Sequence, residues 1–260
     1  MEKMVQRGAT VVLGVGFAQA DAISAVAAAN PDVKFSIIDV SWLDHPNLRQ
    51  YGFKEQEGSY LVGMAAAMAS KTGKVGFVGG MDIPLIRAFG CGYEQGVKAV
   101  NADAEVLQNM TGTTPAAWND PLKGSELTLA QKSQGADVVY AAAGGTGVGV
   151  LQTAAENEMH SIVVDSNQNY LHPGKVLTSM MKRVDNAVYD AFTAGADLET
   201  GFNVMGLANG GVGYAMDDNN AALFTPEMTA AIEAAQASII DGSIEVHNYN
   251  SDETCPALDF

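Results

Sequence analysis

Asp137-Val-Val-Tyr-Ala-Ala-Ala143 runs directly into Gly144-Gly-Thr-Gly-Val-Gly149, and Val150-Leu-Gln-Thr-Ala-Ala-Glu156 follows at once. The spacing predicts a strand over 137–143 and a helix over 145–157, joined by a turn rich in glycine. That order is the repeating unit of an α/β fold, and it opens a binding site at a strand's carboxyl end. Glycines let backbone N–H groups approach a ligand, and a helix N-terminus favours an anion or a polar oxygen. The turn is neither a dinucleotide fingerprint with an acid about 20 residues on, nor a P-loop, because no lysine of that motif follows it.

The same alternation extends in both directions. Strands are expected over 10–16, 35–40, 48–53, 74–79, 104–110, 161–164, 176–181, 202–207 and 244–246. Helices are expected over 21–30, 59–70, 84–100, 121–134, 185–193 and 226–240. The strands are apolar throughout rather than alternating, as in parallel sheets covered by helices on both faces. The fold class is therefore α/β with doubly wound parallel sheets. Lys71-Thr-Gly-Lys74 marks a passage between two lobes, since a fresh run of strand–helix units starts there.

Composition narrows the function. The 260 residues carry 30 acids against 14 bases, a formal charge of −16, which excludes a phosphate-gripping nucleic-acid protein and argues against an anionic membrane surface. No apolar run is long enough to span a bilayer, and no signal peptide is evident. Cys91 and Cys255 belong to no Cys/His cluster, so no metal is expected. They read either as two buried thiols or as one long-range disulfide. The polar tail Asn250-Ser-Asp-Glu-Thr-Cys-Pro256 would fray unless tied down, which favours the bond.

Six strand ends carry glycine or a polar group: Gly14-Val-Gly-Phe17, Asp39, Gly79-Gly-Met-Asp82, Thr111-Gly112 with Trp118-Asn-Asp120, Gly144-Gly-Thr-Gly147, and Asp165-Ser-Asn-Gln168. Singly each is turn chemistry; together they suggest a crevice. Trp118 stands on a loop just before Asn119-Asp120-Pro121, a helix-capping sequence, and either packs on a neighbouring loop or stacks on a planar ligand. Catalysis is poorly supported. His45, His160, His172 and His247 sit at no nucleophile motif, no GxSxG elbow occurs, and Asp217-Asp-Asn-Asn220 reads as a polar turn rather than a calcium loop.

Taken together, these stretches resemble the basic-membrane-protein family of ABC-transporter substrate-binding proteins, the purine-nucleoside receptor lipoproteins. The resemblance rests on Gly16-Phe17 with Asp21-Ala22, Phe35-Ser-Ile-Ile-Asp39 and Phe53-Lys-Glu-Gln-Glu-Gly-Ser-Tyr-Leu-Val-Gly63. It continues through Lys74-Val-Gly-Phe-Val-Gly-Gly-Met-Asp82, Trp118-Asn-Asp-Pro-Leu-Lys-Gly124, Ala143-Gly-Gly-Thr-Gly147, Val164-Asp-Ser-Asn-Gln168 and Leu177-Thr-Ser-Met-Met-Lys-Arg183. Order and spacing hold over nearly the whole chain. One departure is large: the family's opening strand with an Asp-Lys-Ser-Phe-Asn-like end has no match, so the first strand–helix elements are expected to be missing.

The resemblance implies a type I periplasmic-binding fold with a ligand clamped between two lobes. The expected lobes are residues 1–73 plus about 183–198, and 74–182 plus about 199–260. Trp118 falls on an aromatic clamp, Asp165 on an acid that accepts from ribose hydroxyls or a base edge, and Lys182 on a lysine that reaches the ligand. Gly144, Gly145 and Thr146 match a backbone cradle, and Phe17 and Glu57 stand among the ligand-lining positions. The implied ligand is a purine nucleoside of the adenosine, guanosine or inosine class, and the implied partner is an ABC permease. No cofactor is implied, the location is periplasm or cell envelope, and membrane contact is only through a lipid anchor absent from this chain. Two rivals remain. One is a nucleoside- or sugar-processing enzyme on a similar scaffold, disfavoured because no Asp cluster for calcium lies near the first strand. The other is a cytoplasmic regulator, which would need a DNA-binding head.

Overall fold

A computed structural model describes residues 1–256. In chain order its elements begin with α1 (Glu2–Gln6), β1 (Val11–Gly14), α2 (Ala20–Ala29), β2 (Lys34–Ile38), β3 (Leu48–Phe53) and α3 (Glu55–Ala69). Next come β4 (Lys74–Met81), α4 (Pro84–Val100), β5 (Glu105–Gly112), α5 (Pro121–Ser133), β6 (Val138–Ala142) and α6 (Gly147–Glu156). The last are β7 (His160–Asp165), β8 (Val176–Lys182), α7 (Val184–Ala194), β9 (Gly201–Met205), β10 (Val212–Tyr214) and α8 (Pro226–Ile240).

The chain divides into two compact units, one of residues 1–54 with 183–211 and one of residues 55–182 with the chain from 212 onward. The first unit holds a four-stranded sheet in the order β1-β2-β3-β9, parallel throughout. Its core is built from Val12, Ile23, Phe35, Ile37 and Leu48. The second unit holds a six-stranded sheet in the order β10-β8-β7-β6-β4-β5, parallel except for β10, which runs antiparallel to β8. All five residues of β6 are buried, which explains why Val138–Ala142 carries no polar alternation.

Of the three expected lobe boundaries, that at 182/183 coincides with the division between the units, and the other two move. The first passage lies at 54/55 rather than 73/74, because α3 packs on α4 at backbone distance. A side chain at Gly96 would overlap the Tyr60 carbonyl, and one at Gly63 the Tyr93 carbonyl, so only glycine permits this approach. The return to the second unit lies at 211/212 rather than 198/199, because β9 pairs with β3 from Arg49↔Gly201 to Phe53↔Met205. Residues 257–260, the end of the expected second lobe, lie outside the described residues.

The expected strand over 244–246 does not form. The chain there is fastened by side chains instead: the Gln95 amide donates to the His247 carbonyl (3.0 Å) and its oxygen accepts from the His247 N–H (2.9 Å). This tail reaches α4, where Cys255 and Cys91 form a disulfide with a Cα–Cα separation of 5.7 Å. The bonded pair packs with Ala88 and Tyr249 in a small apolar cluster.

Candidate functional site

The six strand ends singled out in the sequence divide between the two sheets. Gly14–Phe17 and Asp39 belong to the first unit; the other four belong to the second. In the second unit, β8, β7, β6, β4 and β5 are parallel, so Lys182, Asp165, the Gly144 turn, Asp82 and Gly112 all mark the carboxyl edge of one sheet.

Trp118 closes a short 3₁₀ turn, Pro115–Trp118, between β5 and α5. Asp120 caps α5 by accepting from the Lys123 N–H at 3.0 Å, with Pro121 in the first turn. The Thr146 hydroxyl fixes this loop from the other side. It donates to the Ala117 carbonyl and accepts from the Asp120 N–H, both at 2.7 Å. Thr146 is fully buried, and its own N–H donates to the Ala143 carbonyl. Its polar groups are therefore engaged internally, and its part in the expected cradle is to hold the tryptophan turn.

The indole then lies across glycines at the ends of β4 and β6. Any side chain at Gly80 would overlap the ring, and one at Gly144 would stand 3.5 Å from it. Gly144 also takes φ +56°, a conformation glycine adopts without penalty. Gly145 faces the carbonyl of Trp118, 3.1 Å from where its Cβ would stand. Trp118, Gly144, Gly145 and Thr146 thus form one corner, with Trp118 half-buried and packed on backbone.

Asp165 ends β7 beside Met181 of β8 and is exposed. Its φ of +72° is in the left-handed region, which aspartate tolerates better than most residues. The loop after it is held by a polar chain. Ser179 accepts from the Gln168 N–H (3.0 Å) and donates to Asn169 (2.8 Å), and Asn167 and Asn169 both donate to the Asp217 carboxylate (2.7 and 3.2 Å). Hydrogen bonding, first from Asn167, holds the Asp217 carboxyl below the usual carboxylate range. The Asp217–Asn220 stretch is thus the polar turn that the sequence suggested, with Asn220 buried and donating to the carbonyls of Leu177 and Ala215.

Lys182 ends β8. Its Nζ lies 3.0 Å from Oε1 of Glu55, and the two side chains are only 5% and 2% exposed. The Phe89 ring centroid lies 5.7 Å from the same Nζ, within cation–π range. Glu57, the acid expected among the ligand-lining positions, is buried two residues further along α3, whereas Glu55 was not among the expected residues. A carboxylate opening a helix just before an apolar run, with a lysine ending an otherwise uncharged later strand, was the available signal.

Phe17 lies in the first unit, in a 3₁₀ turn after Gly16, and packs partly against that unit's core. Asp39 directly follows β2, with φ +64°, and donates its N–H to the Tyr51 carbonyl at 2.8 Å. Each sheet therefore carries an aspartate held left-handed at a strand's carboxyl end.

Among the described residues no group of three or more His, Cys, Asp and Glu is placed to hold a metal. No helix is long and apolar enough to cross a membrane. One histidine does meet a serine: His45 Nε2 lies 2.7 Å from Ser24 Oγ in the first unit.

A family profile described as "ABC transporter substrate-binding protein PnrA-like" matches residues 1–249. The "ABC transporter nucleoside-binding protein BmpA" of Lactococcus lactis subsp. cremoris is 37% identical over 93% of this chain and 72% of its own length. "Basic membrane protein A" of Borreliella burgdorferi is 32% identical over 95% of this chain and 73% of its own. The crystal structure of an ABC transporter solute-binding protein from Aeropyrum pernix K1 superposes with a TM-score of 0.84 at 26% identity, covering 97% of this chain and 80% of that one. Two α/β units with parallel sheets, each completed by chain that returns from the other, and these neighbours together give a type I periplasmic-binding fold. The chain belongs to the Bmp family of PnrA-like ABC-transporter substrate-binding proteins.

Proposed function

We propose that this protein is an extracytoplasmic receptor that binds a purine nucleoside, leaves it chemically unchanged and delivers it to an ABC permease. The observation that carries the reading is the second unit's strand-end edge. A half-buried indole lies across Gly80 and Gly144, and the same edge holds the exposed Asp165 and the buried Lys182. An indole face suits a two-ring base. A carboxylate accepts from ribose hydroxyls or a base N–H, and an ammonium donates to a base or ribose oxygen. Family membership supports the permease and a small-molecule ligand, and the Lactococcus relative is itself named as nucleoside-binding. The Cys91–Cys255 disulfide supports a periplasmic or cell-envelope location, where such bonds persist.

Calorimetric titration of the protein with adenosine, guanosine and inosine, with free base assayed in parallel, tests the proposal. Saturable heat without base release is expected. Release of base at enzymatic rates, or no binding of any of the three, overturns it.

A further inference from the structure

The glycine turn before α6 poses a question of charge. Glycines ahead of a helix commonly receive phosphate, and a lysine at a neighbouring strand end would strengthen that. Here oxygen atoms occupy the approach. The Trp118 carbonyl and Asn119 Oδ1 stand 3.1 and 3.2 Å from the point where a Cβ of Gly145 would be. The Asp120 carboxylate is on the same turn, capping α5.

The cations of this edge are likewise matched. Lys182 is held by Glu55 at 3.0 Å with both side chains buried. Arg87, in the first turn of α4, donates to both carboxylate oxygens of Asp82 at 2.7 and 2.9 Å. Lys123 lies 3.4 Å from Glu126. Asp165 adds an exposed acid at the same edge, and the whole chain carries −16. An edge of this kind offers donors to neutral oxygens but no net positive charge to an anion.

We infer that Glu55 is a specificity-determining residue: by holding and neutralising Lys182, it makes the site accept an uncharged nucleoside and refuse the corresponding 5′-phosphate. This rests on the nucleoside reading above. A buried ammonium without its carboxylate would attract the nearest available anion, and a nucleotide phosphate supplies one. Glu55 thereby acts through Lys182, as a positioning residue whose charge sets selectivity.

The test uses the full chain and compares inosine with inosine 5′-monophosphate by calorimetry. Wild type is expected to favour the nucleoside by about a hundredfold or more. Glu55→Gln is expected to narrow that ratio by about tenfold, with the gain on the monophosphate side and largest at low salt. A purely structural role would weaken both ligands alike and leave the ratio unchanged, which overturns the inference. Equal affinity of wild type for both ligands overturns it too, while leaving the nucleoside reading standing. If wild type binds no nucleoside, both fall.

Should Glu55→Gln fail to fold, the double variant Glu55→Gln with Lys182→Met removes both buried charges and relieves the cause. It is expected to bind inosine more weakly yet still refuse the monophosphate. A double variant that binds the monophosphate as tightly as inosine overturns the inference.

Discussion

Trp118 takes its orientation from small and polar neighbours: Thr146 ties down its turn, and Gly80 and Gly144 make room beneath the ring. Trp118→Ala should therefore weaken nucleoside binding by roughly 1–3 kcal/mol, the range of aromatic–base stacking, with Trp118→Phe milder. Gly80→Val should reproduce much of that loss with Trp118 itself unchanged, because the added side chain displaces the ring. Equal dissociation constants for Gly80→Val and wild type would mean that the ring's position is irrelevant to binding. Glu94 is a second telling residue. It is buried on α4 and accepts from Gln108 Nε2 at 3.0 Å, and burial pushes its carboxyl up to about 7. A folded-state value above the unfolded one stabilises the fold fully below the ordinary carboxylate range, and that contribution fades as pH rises toward 7. Glu94→Gln keeps the acceptor and removes the titration. Its melting temperature should gain on wild type between about pH 4.5 and 7 and hold a constant offset above that. Parallel curves for the two proteins would show that Glu94 does not titrate in that window. Neither glycine support nor Glu94 was legible in the sequence, since both depend on which residues meet across elements.

Elements were legible where a single local signal fixes them. The apolar run over 137–143 and the capping sequence Asp120-Pro121 bound β6 and α5 to within one or two residues. The strand expected over 244–246 failed because the chain there is tied to helices rather than to a strand: the Ile244 N–H donates to the Ser238 carbonyl of α8, and the next backbone groups, those of His247, pair with the Gln95 side chain of α4. β10 went unrecognised because three residues of Val-Gly-Tyr carry too little pattern. The placement of α3 was also out of reach, because the contact that decides it is a glycine fit between helices. That fit makes a sharp prediction. Gly96→Ala sets a methyl against the Tyr60 carbonyl, so it should destabilise by about 1–3 kcal/mol or more despite alanine's better helix propensity. A denaturation midpoint equal to or above that of wild type would show that the helices can part without cost.

At the scale of the molecule, the disulfide ties residue 255 to residue 91, a separation of 164 residues, and so fastens the end of the described chain to the middle of the second unit. Opening it by Cys255→Ser should lower stability by about 2–4 kcal/mol, read from chemical denaturation of oxidised wild type against the variant. Alkylation of two thiols in denatured, unreduced protein would count against both the bond and the proposed compartment. The division into two units also carries a consequence for synthesis. A ribosome that has made residues 1–54 has made β1, β2 and β3 but neither β9 nor α7, which arrive only after the whole of 55–182 has been translated. The emerging segment thus presents a parallel sheet without its last strand for as long as residues 55–182 take to be polymerised. Long-range parallel pairing is slow to form and exposes strand edges meanwhile. The first unit, begun before the second, therefore cannot close its sheet until most of the second has been made, and it is finished before β10 and α8 complete its neighbour.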